Sequence, residues 1–156
     1  MKRHYLPIFI FIPLLGLSYY AGYTPLLLPA LFISISLLTL AIYYKDKSAA
    51  VKGAWRTPES RLHLLALLGG WPGAIIAQQT LRHKTQKKSF RVTFWFTLLL
   101  NISAFSWLHS ATGTDWLHAK IFKLDSYIAY SDMPYTTRQY IRYFTHFRIK
   151  RPLRYR

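Results

Sequence analysis

Apolar residues in this chain come in long blocks, and the blocks set its architecture. From Tyr5 to Tyr44 no residue is charged, a run of roughly 40 residues where one helix needs about 20 to cross the hydrocarbon of a bilayer. The pattern predicts two membrane segments, about Tyr5 to Tyr20 and about Pro25 to Tyr44, with a tight turn near Gly22 to Pro25. Tyr5, Tyr19, Tyr20, Tyr23, Tyr43 and Tyr44 gather at their ends, as interfacial anchors do. Pro7, Pro13, Pro25 and Pro29 fall where bilayer helices tolerate proline, in a first turn or at a kink. A third apolar segment, Leu62 to Leu81, is interrupted by Gly69-Gly70-Trp71-Pro72-Gly73. A fourth, about Val92 to Leu108, opens with Phe94, Trp95 and Phe96 and closes with Trp107. Beyond His109 the chain is polar and basic, and Leu117, Ile121, Leu124 and Ile128 recur at helical spacing, which predicts an amphipathic helix of about three turns. The expected fold is an all-α integral membrane protein. It has an N-terminal helical hairpin, a Gly/Pro-broken third segment, a fourth membrane helix and a basic amphipathic C-terminal tail. Residues 1–110 would form the membrane domain and 111–156 the tail.

Charge decides between topologies. The formal net charge is +16, from 21 Lys and Arg against 5 Asp and Glu. The loop from Lys45 to Arg61 and the stretch from Arg82 to Arg91 each hold five Lys or Arg. Short basic loops prefer the cytoplasm. If the third segment crosses the bilayer, the two loops fall on opposite sides; if it enters and returns, both stay cytoplasmic. Charges close to the membrane favour the re-entrant form, and Pro72 would break the helix where the turn is needed. The competing reading is a kinked span in which Gly69 and Gly73 form a G-x-x-x-G packing notch. Ahead of the third segment, Thr57-Pro58-Glu59 reads as a helix start: Thr57 as N-cap, Pro58 at the first helical position, Glu59 at the positive end of the helix dipole. Lys2-Arg3 followed by an apolar stretch has the form of a signal peptide, but no small-x-small site precedes a polar region, so it reads as an uncleaved anchor with a cytoplasmic N-terminus. There is no cysteine, so disulfides and thiolate metal sites are excluded.

A set of spaced residues carries a resemblance: Asp46-Lys47, Ala49-Ala50, Gly53, Arg56, Pro58-Glu59, Leu62-His63, Gly69-Gly70-Trp71-Pro72-Gly73-Ala74, Arg82-His83-Lys84-Thr85, Lys87 and Ser89-Phe90. Through them the chain resembles the uncharacterised bacterial membrane family known as domain of unknown function 1294, over about Tyr44 to Asn101. The resemblance implies a bacterial inner-membrane location and supplies no activity. Some members of that family carry a cold-shock nucleic-acid-binding domain; here the N-terminal region is the hydrophobic hairpin, so no nucleic-acid role is implied.

Several groups are candidates for chemistry. Arg82, His83, Lys84, Lys87, Lys88 and Arg56 form a cationic set suited to phosphate or an anionic headgroup, with Thr85 and Ser89 adding hydroxyls; a plain topology signal lying on anionic lipid has the same composition. Glu59 and His63, four apart on one helix face, are weak catalytic candidates as an acid/base pair, the alternative being a capping carboxylate beside an interfacial imidazole. Asp46 is expected to form a structural ion pair, with Lys47, Arg56, Arg82 or Lys84 as partner. The Gly-Gly-Trp-Pro-Gly element is a structural motif that would also present a half-helix N-terminus within the membrane. No metal site and no cofactor is expected, because the six His are scattered and the carboxylates few. The tail from Arg138 to Arg156 mixes cations with Tyr140, Tyr143, Phe144, Phe147 and Tyr155 and suits a lipid surface better than nucleic acid. The function expected is that of a small non-enzymatic membrane subunit or adaptor that contacts anionic lipid or an acidic partner, with self-association or a membrane-protein partner allowed. A membrane enzyme or carrier for a phosphorylated lipid, and a nucleic-acid tether through the tail, are the alternatives.

Overall fold

The computed structural model describes residues 3–81 and 87–149 and is helical throughout, with no strand among the described residues. A single 3-10 turn, Arg3–Tyr5, leads into α1 (Leu6–Tyr20), followed by α2 (Leu27–Val51), α3 (Glu59–Leu65), a π-helical turn at Ala66–Gly70, α4 (Trp71–Leu81), α5 (Lys88–Leu108), α6 (Ala111–Ala129) and α7 (Tyr135–Thr145). By length and composition two helices are apolar enough to cross a membrane, Leu27–Val51 and Glu59–Leu81, or three if the bent pair Lys88–Leu108 and Ala111–Ala129 is one span; Leu6–Tyr20 is a shorter apolar helix. The chain divides into two compact units, residues 1–11 with 31–103 and residues 12–30 with 104–156.

In the first unit the third segment is not one rod. Gly69 has φ +106 and ψ −1, a conformation in which a residue with a Cβ is strained. The break therefore sits at Gly69, not at Pro72. Pro72 is the second residue of α4, where its missing N–H falls among those a helix start leaves unpaired anyway. The direction of each arm follows from its neighbours. Phe32 of α2 faces Gly69, Ser36 faces Gly73, and Tyr43 meets Gln78, so α4 runs alongside α2 in the same direction. The 3-10 turn ahead of α1 also packs on α4. Yet α3 starts at the far end of α2, because the Thr57 amide just ahead of it binds Asp46 at 2.8 Å. An unbroken helix from Glu59 would carry Gln78 roughly 28 Å from that end, whereas Gln78 touches Tyr43, less than one turn from Asp46. Residues 59–81 thus go out along α3, turn over at Ala66–Gly70 and come back along α4.

Small residues permit this turn. A Cβ on Gly70 would overlap the Thr39 hydroxyl, and one on Gly73 would overlap the Ser36 carbonyl, so α2 and the returning arm are in backbone contact. Trp71, fully buried, fills the space beyond, with Phe11 edge-on at 5.0 Å and Phe11 against Phe32 at 5.0 Å.

In the second unit α6 leaves α5 at 83°, with Ser110 as its N-cap accepting from the Gly113 amide at 3.1 Å. The predicted helix is present and longer than three turns, and its buried face differs: Ile121 and Ile128 are inside with His118, while Leu124 is 39% exposed. His118 stacks on Phe147 at 3.7 Å and lies 3.3 Å from the Gly22 carbonyl. Arg148 covers the Tyr20 ring at 3.3 Å. His109 contacts the Phe105 carbonyl through Nδ1 at 2.8 Å and Ser18 through Nε2 at 2.9 Å. A carbonyl only accepts, so Nδ1 carries the hydrogen that points at Phe105.

The glycine contacts set an expectation for stability. Gly73→Ala should destabilise the protein by about 1–3 kcal/mol, because the new methyl meets backbone that cannot step aside. Gly16→Ala in α1, with nothing within 4 Å of its Cβ position, should be neutral or stabilising by up to about 1 kcal/mol. Thermal unfolding of the two purified variants in one detergent measures the contrast.

Candidate functional site

The polar end of the first unit begins where α2 stops. Gly53, at φ +65, takes the left-handed conformation after the last helical turn, and the Ala54 amide reaches back to the Ala49 carbonyl at 2.9 Å. This is the closing bond of a Schellman motif, and it accounts for Gly53. The chain is thereby sent back over the last turns of α2, where Asp46 waits, fully buried.

Asp46 holds the returning loop. One carboxylate oxygen accepts from the Thr57 amide at 2.8 Å, and the other lies 3.9 Å from the Arg56 guanidinium, which is half exposed. Arg56 is thus the partner, of those the sequence offered, that the described residues supply. With the Thr57 amide engaged by Asp46, the N-cap of α3 is Pro58 and not Thr57; its ψ of 140 is extended, and no side chain caps the helix.

Glu59 opens α3 and binds Lys87, just ahead of α5, at 2.8 Å. Both groups are partly exposed, so the pair contributes at most about 1 kcal/mol. Its meaning is positional: the start of α3 and the start of α5 are side by side. His63 packs its ring on Phe90 at 4.3 Å. The two residues share α3, and among their contacts are the Lys87 ammonium for Glu59 and the Phe90 ring for His63. Lys88 is exposed at the first position of α5. Arg82, His83 and Lys84, with Thr85, lie outside the described residues.

Two features of the interior were not foreseen. Asn101, midway along α5, donates to the carbonyls of Ala66 at 3.2 Å and Leu67 at 3.1 Å, and to Thr97 in its own helix at 2.9 Å. These are the carbonyls that the π turn loosens from the helical ladder. The signal in the sequence was a lone amide in an apolar helix, since a polar side chain within such a segment has a partner to satisfy. The second feature is a set of buried polar atoms carried by α2 and α4. Tyr43 Oη, Gln78 Nε2, Trp71 Nε1 and Ser36 Oγ have no hydrogen-bond partner among the described residues. Tyr43 and Gln78 lie against each other.

Residues 36–90 match the profile of a protein family described as "Protein of unknown function (DUF1294)". The uncharacterized protein YsdA of Bacillus subtilis (strain 168) is 35% identical over 79 residues, which cover 51% of this chain and 86% of that protein. The chain belongs to this family. The matched residues run from the middle of α2 through the Asp46-bound loop, α3 and α4 to the start of α5, all within the first compact unit. No solved structure matches the chain.

Asn101→Leu should leave the Ala66 and Leu67 carbonyls without their donor in an apolar setting, at a cost of about 1–3 kcal/mol. Thermal unfolding beside Asn101→Gln, which keeps an amide, separates the lost donor from altered packing: the glutamine variant should recover part of the loss.

Proposed function

We propose that the chain is a small non-enzymatic membrane protein of the bacterial inner membrane, an adaptor or subunit whose cytoplasmic loops engage anionic lipid headgroups. α1, α2 and α5 cross the bilayer, and α3 with α4 form a re-entrant helical hairpin that opens on the cytoplasmic side. The reading rests above all on the 2.8 Å contact between Glu59 and Lys87. That contact joins the loop before the hairpin to the one after it, and with them Arg56, Lys87 and Lys88 share one face. A basic face at headgroup depth gains about 1 kcal/mol per cation from an anionic leaflet. The N-terminus is cytoplasmic, with Lys2 and Arg3 at its start, and three crossings put α6 and α7 on the other side. The 83° bend after α5 suits a helix that leaves the hydrocarbon to lie along a surface, where exposed Trp116, Phe122 and Tyr127 with Lys120 and Lys123 match an interfacial helix.

Because native cysteine is absent, single cysteines report sidedness directly. In intact cells Trp55→Cys and Ser89→Cys should both resist an impermeant thiol reagent, and Tyr130→Cys should react. Labelling of one of the first two without the other rejects the re-entrant hairpin. On vesicles, Lys88→Glu with Arg56→Glu should abolish the preference for phosphatidylglycerol over phosphatidylcholine, and an unchanged preference rejects the lipid-contact role.

A further inference from the structure

We infer that the loop after α2 is a membrane anchor, which sets the Trp55 indole into the boundary between headgroups and acyl chains. The inference deepens the lipid-contact reading and rests on it for placing this loop at the cytoplasmic leaflet.

Trp55 is the most exposed large apolar side chain among the described residues, at 94%, and Val51, four residues earlier, is 76% exposed. Every residue from Val51 to Arg56 is exposed. On a loose loop this would mean little, since single apolar side chains are common on surfaces. This loop is tied down. The Lys52 amide reaches the Ser48 carbonyl at 3.1 Å and the Ala54 amide the Ala49 carbonyl at 2.9 Å, while Gly53 turns the chain at φ +65. Two residues past Trp55, the Thr57 amide binds the buried Asp46 at 2.8 Å. An ordered backbone thus holds an indole in the open, so little ordering remains to be lost when the ring meets its partner.

The height of the ring identifies that partner. The uncharged block ends at Tyr44, and Asp46 stands two residues further on, about 3 Å along the helix axis. Because Thr57 is bound to Asp46, at most roughly 7 Å of chain separates Trp55 from that level. The headgroup layer on each side of a bilayer is about 5–8 Å deep. The loop therefore bends Trp55 back to this layer instead of carrying it off into water. Trp favours such a boundary, with its ring among apolar groups and its N–H on a phosphate or ester oxygen. The neighbouring charges agree. Lys47, Lys52 and Arg56 lie in a stretch, Lys47 to Pro58, that holds no acid, and the Arg56 guanidinium is half exposed. Cations for phosphates beside a ring for the ester zone are the complement of a glycerophospholipid leaflet. An acidic protein would match the cations as well, but a ring at headgroup depth meets lipid first.

The test places the full-length protein in vesicles of phosphatidylcholine, alone or mixed with phosphatidylglycerol, and compares wild type with Trp55→Phe. The difference between the two emission spectra is the light of Trp55. Trp55→Phe changes only an exposed position and should unfold at the wild-type midpoint. Trp55 emission should be lost when the lipid is brominated near the headgroup end of its acyl chains. It should be kept when iodide is present in the water on both sides of the vesicle wall, and both results should hold in both lipid compositions. Quenching by iodide with none by brominated lipid rejects the anchor and leaves the indole to a protein partner. The lipid-contact reading fails separately. If Lys88→Glu with Arg56→Glu leaves the preference for phosphatidylglycerol unchanged while brominated lipid quenches Trp55, the anchor stands and the charge reading falls. If that preference is lost while Trp55 answers to iodide alone, the charge reading stands and the anchor falls.

Discussion

A backbone that reverses direction among apolar side chains must still satisfy its own amides and carbonyls, and the rest of the first unit is arranged around that demand. At Ala66–Gly70 the helical ladder opens. Asn101 supplies donors to the loosened carbonyls, Gly69 supplies the backbone conformation, and Gly70 and Gly73 let the returning arm lie against α2. None of these residues is chemically reactive. Together they decide where Trp71 and Gln78 stand, and so where any chemistry in the unit can occur.

The polar end answers a second demand, that charge next to an apolar bundle be paired or wet. Asp46 is the one fully buried carboxylate among the described residues, and it is surrounded by donors that fix a loop. Glu59 and Lys87 meet at the surface, where a salt bridge contributes little energy but much geometry. The two ion pairs differ in kind. The first orders a loop in the interior, and the second places two chain segments side by side in water.

Much of this was legible in the sequence, and the reasons for the misses are physical. Uncharged blocks locate α1 and α2 well, yet α2 continues past Tyr44 to Val51, since helix formers such as Lys and Ala extend a helix beyond the apolar layer that hydropathy detects. The break in the third segment was readable from Gly69-Gly70-Trp71-Pro72-Gly73. The positive φ belongs to Gly69 and not to Pro72, because a proline in a first turn disturbs nothing. The ion pair of Asp46 with Arg56 was one of several foreseen. The contacts of Glu59 with Lys87 and of His63 with Phe90 were not, because spacing gives a shared helix face and says nothing of what stands opposite. Asn101 and the Tyr43–Gln78 contact join residues far apart in the chain, and no local pattern encodes which distant helix a side chain will meet. Arg82, His83 and Lys84 lie outside the described residues, so the densest part of the predicted cationic set contributes composition only.

The dependence of the hairpin on Asn101 also orders events during synthesis. α3 has seven residues, too few to persist as an isolated helix, and the side chain that completes its carbonyls belongs to a helix made afterwards. As the chain is made, the turn between α3 and α4 therefore cannot be completed until α5 follows it. Docking of α5 is the step that closes the turn made before it.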